Sequence, residues 1–557
     1  MKKKISLILL FILGTLLHIW FFNINEILRV ADSFAYFQMS HFLWELSSKW
    51  FGTGWFGFLY SLPIAIVQAL FQDDFLSARI VNILLFNLWG YFLYQIAKKY
   101  LSKNYLLLLI GLYFLSPVLL HFNIHILSEN IYIPLFLGLV WFLQGFTKTP
   151  TYQKTVFLGV FIALMYLTRW EAFIYLGSLV LLFIGLFYKR SYTKIFLHSF
   201  VLVFSFFIFV FPYLYHMHTL TWEWWLTNKW ASNLRQAELR WVERMDDAGF
   251  EQAVAELTPD KHHLIAGFAG WLKYDTPRIE WGLVSYVLDD PQGFISRMGT
   301  NQKKLYSKNL PQIIVWDAYR VWNSPDSFLY KNPLFLIVIL FPLVLLIFGV
   351  YKMIRAEKYT LLLSILPFFL TASFFFTLFF TLNRYFLIFL PICMIIMVYG
   401  LQELKLTPST TWLSRGERYI QIGISILLVG IYSLWLYSYY NTYKVHDNRF
   451  EVKKLAWEWI AENKWNDLRV MERFPVVTYY SNTKERWLTP YTDNLADIVE
   501  YAEYNNIHVL VVDTLDFKTY RPALHDLLDE TQNHSWLELL HVEEKNGEKV
   551  ILYWFEK

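Results

Sequence analysis

Apolar runs closed by short clusters of Lys or Arg recur along most of this chain, and no other feature restricts its fold as much. About 20 mostly apolar residues cross a bilayer as a helix, and basic clusters mark the helix ends that stay in the cytoplasm. The first run, Ile5 to Phe22, has Lys2, Lys3 and Lys4 in front of it. No small-residue cleavage site of the A-x-A kind closes it, so it is expected to be a retained transmembrane helix with a cytoplasmic N-terminus. The 557 residues are 56% hydrophobic and only 17% charged, a polytopic membrane composition. The basic residues sit beside apolar runs and the net charge is only +4, which leaves no nucleic-acid footprint. The single cysteine, Cys393, lies inside an apolar run and excludes an internal disulfide framework or a Cys-based zinc cluster.

Parity then orders the chain. Trp55 to Phe71 is short and interrupted by Pro63, and is expected to lie in the outer interface. That keeps Lys98, Lys99 and Lys103, after Ala78 to Ala97, on the inner side. Tyr105 to Leu120 leads outward, Ile131 to Phe146 back, Val156 to Leu167 outward and Phe173 to Tyr188 back. Ile195 to Leu214 opens a long aromatic segment, His216 to Lys331, expected to fold over the bundle mouth and to include a helical pattern at Asn233 to Met245. Pro333 to Tyr351, Tyr359 to Phe380, Tyr385 to Gly400 and Tyr419 to Tyr437 complete about eleven crossings.

Beyond Tyr440 the composition turns to a soluble pattern. Glu451 to Glu462 and Asn494 to Tyr504 read as helices, and Arg469 to Met471 and Val509 to Asp513 as strands. Leu537 to Glu543 and Lys549 to Phe555 read as a hairpin through Asn546 and Gly547. The expected fold class is thus a polytopic α-helical membrane domain, residues 1–440, with external loops 23–77 and 215–331. A small α/β domain, residues 441–557, follows on the outer face.

Several polar groups fall at the outer ends of the helices. Asp32, just past the first helix and beside Phe34, Tyr36 and Phe37, is either an acid tuned for proton abstraction, a solvated juxtamembrane acid or a helix N-cap. Thr168, Arg169, Trp170 and Glu171 interrupt two short apolar limbs. A charged pair there is costly unless it serves a site or forms an internal salt bridge. His121 and His125 are four apart on one helix face, the spacing that suits a divalent metal better than adjacent His262 and His263. The Trp222, Trp224, Trp225 cluster is expected to be an interfacial belt.

Asp32, the Ser128-Glu129 pair, Thr168-Arg169-Trp170-Glu171-Ala172 and Arg384-Tyr385 before Pro391 together resemble the GT-C membrane glycosyltransferases. The resemblance is to the family 39 type, which includes protein O-mannosyltransferases and the lipid A aminoarabinose transferase. Ala78-Arg79-Ile80-Val81-Asn82 to Lys98-Lys99-Tyr100 and Leu115-Ser116-Pro117 are similar to that family's early segments. One departure is Ser33, where many relatives carry Glu. The resemblance implies a polyprenyl-phosphate-linked sugar donor and a protein, lipid or polysaccharide acceptor at the outer face of the cell membrane. It further implies Asp32 as the base on the acceptor, Glu129 as a second acid, and Arg169 and Arg384 on the lipid phosphate. Glu171 and Tyr385 are supporting candidates. Arg297, Lys303 and Lys304 of the long loop are further phosphate candidates, or else anchors on anionic membrane lipid. The competing classes are a multipass transporter or flippase of lipid-linked saccharides and a non-catalytic assembly subunit.

Overall fold

Inside hydrocarbon every backbone N–H and C=O must find a partner within its own segment, so the apolar runs are expected to be helical throughout. In the computed structural model they are. The structure describes residues 2–24, 32–44, 57–221, 291–310, 333–378, 383–404 and 411–556, apart from Arg190 and short stretches of the last range, with Trp224 and Leu288 in addition. The helical pattern expected at Asn233 to Met245, and His262 and His263, lie outside the described residues, as do Trp222 and Trp225.

Helix α1 (Lys2–Ile24) is followed by α2 (Asp32–Trp44). A 3-10 turn, Phe58–Tyr60, leads into α3 (Ser61–Phe71), and α4 (Asp74–Ala97), α5 (Lys103–Leu115) and α6 (Pro117–Ile124) come next. Then come α7 (Glu129–Phe146), α8 (Tyr152–Thr168), α9 (Ile174–Phe187) and α10 (Tyr192–Thr221). The remaining bundle helices are α11 (Pro291–Lys304), α12 (Pro333–Arg355), α13 (Thr360–Leu378), α14 (Leu390–Gln402) and α15 (Thr411–His446). Among the described residues, eight helical spans are long and apolar enough to cross a membrane, or nine if the bent pair of α5 and α6 is one. The 17-residue α8 and the 23-residue α12 occupy the other two expected crossings. The protein is a multi-pass membrane protein.

Two of the expected spans differ locally, and the break expected between two others is present. The span expected at Tyr105 to Leu120 is bent by 49°. Ser116 is extended there because Pro117 disfavours helical geometry in the residue before it and supplies no N–H. The Val156 to Tyr188 pair breaks at Arg169, whose φ of −149° and ψ of 119° are those of a strand. Helix α10 continues past Leu214 to Thr221, where His218 stacks on Trp224 at 4.4 Å. The Trp55 to Phe71 segment forms only a short helix, α3, packed on α2 and α4.

Small residues let backbones meet, as membrane helices require in the absence of a hydrophobic drive between them. A side chain at Gly400 would reach the Gly349 backbone nitrogen at 2.9 Å, so α12 and α14 cross in direct contact. The basic turns gather at one end of the bundle. There Lys99 donates to Gln144 at 2.6 Å, the Ser102 amide donates to Gln402 at 2.6 Å, and Lys358 lies over the Tyr399 ring. At the opposite end His121 Nδ1 pairs with the Tyr439 hydroxyl at 3.0 Å, and Phe21, Phe22, Leu120, Ile124, Leu436 and Tyr439 form one apolar cluster. The end of α1, the turn between α6 and α7, and the end of α15 therefore share that end.

The C-terminal region is a five-stranded sheet of order β2-β1-β3-β5-β4. Its strands are β1 (Arg469–Glu472), β2 (Glu485–Leu488), β3 (Val509–Asp513), β4 (Leu537–Lys545) and β5 (Glu548–Phe555). The expected hairpin is present, its turn closed by Gly547 at φ +78°, a conformation glycine adopts without cost. Strand β2, which pairs parallel to β1, is not among the expected strands, because Glu485 and Arg486 mask its short apolar signal. Helices Asn448–Glu462 and Leu495–Tyr504 cover the sheet, the second capped by the Asn494 side chain. Lys453 is buried on Asp513 at 2.9 Å. Burial alone would lower its pKa, but Asp513 and Glu472 outweigh that and hold the ammonium above the ordinary lysine range. Val476 joins the apolar cluster of the bundle while Val477 joins that of the sheet, so the segment after β1 links the two.

Candidate active site

Glu129 begins α7, where the unpaired amides and the dipole of a helix N-terminus favour a carboxylate. Its side chain is only 2% exposed. A buried carboxylate needs opposite charge, and Arg169 supplies it: Nη1 donates to Glu129 Oε1 at 2.5 Å. Nη2 of the same guanidinium donates to Glu171 Oε1 at 3.4 Å. The break after α8 makes this possible. An extended Arg169 turns its side chain out of the helix direction, and the 3-10 turn Trp170–Phe173 brings Glu171 back beside it.

Arg384 enters from far along the chain, on the short helix Asn383–Phe386, with Nε 3.9 Å from the same Glu129 oxygen. Its side chain is 29% exposed against 9% for Arg169, so of the two arginines it is the one open to a ligand. Tyr385 next to it is buried, stacks on Phe376 at 4.3 Å and has its ring 5.3 Å from the Arg169 guanidinium. The Tyr132 ring stands 5.8 Å from that guanidinium. Fork, rings and two carboxylates together fix the orientation of Arg169, an arrangement that a lysine cannot reproduce.

Asp32 opens α2, and its side chain lies outside the described residues. The following residue ties the helix to the site. Ser33, 1% exposed, donates through Oγ to the Ile126 carbonyl at 3.1 Å, in the turn immediately before Glu129. The departure from the family pattern thus has a structural use. Tyr36, one helical turn on, packs edge-on against Tyr60 at 5.0 Å.

Gly57 sets the approach of this loop to Arg169. A β-carbon at Gly57 would overlap the Thr168 carbonyl and lie 2.6 Å from the Leu167 oxygen, so only glycine lets the 3-10 turn reach the end of α8. Gly57→Val is expected to push the turn off Thr168 and displace Arg169. A shift on the order of 1 Å at a catalytic constellation costs about 100-fold in turnover. Turnover of the purified variant, compared at equal folded content, checks this; a wild-type rate would show that Arg169 does not depend on the contact.

The other candidates separate. Arg297, Lys303 and Lys304 lie on α11, which docks on the end of α13 through Asn301 to the Thr377 carbonyl at 3.0 Å and Gln302 to its hydroxyl at 3.1 Å. Lys303 is exposed, and Arg297 and Lys304 are half-buried. His121 and His125 do stand together, with ring centres 4.5 Å apart. His121 is engaged by Tyr439, however, and His125 by the His121 carbonyl at 2.6 Å. Among the described residues no three His, Cys, Asp or Glu side chains form a group suited to a metal. Residues that sequence reasoning does not single out are Gly57, Tyr60, Tyr132 and the buried asparagines 123 and 130; Ser33 and Asn82 appear there only as parts of the resemblance, without these contacts. The asparagines carry a signal, since amides inside apolar helices are costly without partners.

Residues 56–216 match the family model described as dolichyl-phosphate-mannose-protein mannosyltransferase. Two solved proteins share the fold over most of the chain. ArnT from Cupriavidus metallidurans, bound to undecaprenyl phosphate, is 10% identical with a TM-score of 0.53, over 98% of this chain and 97% of that one. Its apo state gives 11% and 0.51, over 95% and 94%. The apo oligosaccharyltransferase of Archaeoglobus fulgidus is 10% identical with a TM-score of 0.51, over 92% of this chain and 70% of that one. In its complex with an inhibitory peptide and a dolichol-phosphate, where the TM-score is 0.45, this chain spans 62% of that chain's length. No curated protein matches the sequence at a significant level.

Proposed function

We propose that the chain is a membrane glycosyltransferase of the GT-C type that moves a sugar from a polyprenyl-phosphate donor to an acceptor hydroxyl at the outer membrane face, with inversion. The observation that carries this reading is the convergence of Glu129, Arg169 and Arg384 at the bundle end that also bears Asp32 and the C-terminal sheet.

The Asp32 carboxylate takes the acceptor proton as the acceptor oxygen forms its bond to the anomeric carbon. The bond from that carbon to the phosphate oxygen breaks on the opposite face, and the electron pair leaves with the polyprenyl phosphate. Arg384, the more accessible arginine, receives the growing negative charge, with α11 contributing Arg297, Lys303 and Lys304 at the rim. Arg169 is held by two carboxylates and two rings, and keeps Glu129 directed at the sugar or acceptor. A polyprenyl donor is supported by the matching family, named for a dolichyl-phosphate sugar, and by the similar ArnT bound to undecaprenyl phosphate. No metal is required by this scheme, and His121 and His125 remain candidates for one only if a third ligand joins them.

The direct test is release of radiolabelled sugar from polyprenyl-phosphate sugars by purified protein in detergent, wild type beside Arg384→Ala. A lost charged hydrogen bond of about 1.5–3 kcal/mol corresponds to a donor kcat/KM lowered roughly 10- to 100-fold. Donor binding without turnover by the wild type would refute the reading. Unchanged kcat/KM in the variant would take Arg384 off the phosphate.

A further inference from the structure

The turn between α6 and α7, residues 125–128, is non-helical backbone inside the bundle. Such backbone persists only where its carbonyls and amides are satisfied by other groups. Here side chains do it. Asn82 Nδ2, from α4, donates to the Asn123 carbonyl at 2.7 Å and to the His125 carbonyl at 3.2 Å. Asn130 Nδ2 donates to the same His125 carbonyl at 2.7 Å. Asn123 Nδ2 returns to the Asn82 carbonyl at 3.2 Å and to Asn130 Oδ1 at 2.6 Å. The Tyr60 hydroxyl closes the set by donating to Asn82 Oδ1 at 2.5 Å, and Trp89 Nε1 donates to the Asn130 carbonyl at 2.7 Å. Tyr60, Asn82, Asn123 and Asn130 are each 0% exposed, so the bonds among these four residues are shielded from water and have no solvent substitute.

This arrangement holds more than a turn. Its last member, Asn130, is the neighbour of Glu129, and the Trp89 bond fixes the first residues of α7 that aim the Glu129 carboxylate at Arg169. The same turn receives Ser33 from the helix that Asp32 opens. One rigid unit therefore registers both acids, although they lie on separate helices and almost a hundred residues apart in sequence.

We propose that Tyr60, Asn82, Asn123 and Asn130 form a positioning unit for the two acids, setting where Glu129 and the Asp32 helix stand relative to each other during sugar transfer. The inference rests on the functional reading above. None of the four touches the reacting atoms; they act through Glu129 and the turn. An amide cluster with a purely structural role would lower stability when cut and leave the turnover of folded protein as it was. A positioning unit lowers kcat with donor KM little changed, and does so only while there is a correctly placed Glu129 to align.

The experiment uses full-length protein in detergent and two near-isosteric changes. Tyr60→Phe removes a single hydroxyl, and Asn82→Asp keeps the Tyr60 acceptor while removing both amide donors. Each is expected to lower kcat about tenfold with donor KM within about twofold. In a Glu129→Asp background, whose shorter carboxylate no longer reaches its place, Tyr60→Phe is expected to cost little further. Losses that simply multiply in the two backgrounds, or wild-type kcat in folded Tyr60→Phe, would overturn the proposal. Hydrogen exchange of the 125–132 backbone amides reads the turn without reference to turnover. Faster exchange in Asn82→Asp supports the unit, and unchanged exchange refutes it. Should the wild type transfer no sugar, the functional reading fails by itself while exchange still decides whether the cluster fixes the turn.

Discussion

Asp32→Asn is expected to lower sugar transfer by about 10²- to 10⁴-fold in kcat, the range a positioned general base contributes, while the protein stays folded and still binds its lipid donor. Asparagine matches aspartate in shape, and at the start of a helix it is equally favourable, so α2 keeps its N-terminus. What is lost is the capacity to accept a proton. The Ser33 bond to Ile126 does not involve the substituted group, so the helix keeps its register on the turn before Glu129. The measurement is single-turnover transfer of radiolabelled sugar, together with donor binding by the same preparation. Normal transfer in Asp32→Asn would remove this residue as base and move the role to Glu129. Loss of donor binding with turnover would instead make Asp32 part of the donor site.

Arg169→Leu is expected to destabilise the folded protein by about 3–5 kcal/mol, the usual result of removing one partner from a buried ion pair. The carboxylates of Glu129 and Glu171, 2% and 5% exposed, would then face each other without the guanidinium between them. Thermal unfolding in detergent should show a midpoint lower by several degrees, and transfer should be lost even below it. Arg169→Lys tests geometry apart from charge. A point charge restores part of the stability but cannot bond both carboxylates while resting against the Tyr132 and Tyr385 rings, so activity should stay low. Pairing Glu129→Gln with Arg169→Leu should cost less than the sum of the single changes, since the double variant leaves one fewer buried charge unmatched. Wild-type stability in Arg169→Leu would mean that the acids find other partners.

The membrane helices are largely legible in the amino-acid order. The ends of α7 and α9 follow from it to within a few residues, because hydrocarbon thickness sets helix length and lysine clusters set the ends. The break at Arg169 is visible as charge inside an apolar stretch. Its use is not, since Arg169 and Glu129 are 40 residues apart and Arg384 enters from beyond the long loop. The sharp bend at Ser116 escapes a hydropathy reading although Pro117 announces it, because hydropathy alone joins the two limbs into one span.

Residue order alone establishes that this chain builds a helical membrane bundle with a small C-terminal α/β unit, and where polar groups interrupt the apolar pattern. Local chemistry suffices for that, because bilayer burial forces each segment to satisfy its own backbone. Which interruptions meet is settled by the packing of the helices. A lone asparagine or arginine in an apolar run declares that it needs a partner without naming one. The partner is chosen by helix crossings, here by contacts as small as the missing side chain of Gly57, which place Asn82 beside Asn123 and Glu129 between two arginines.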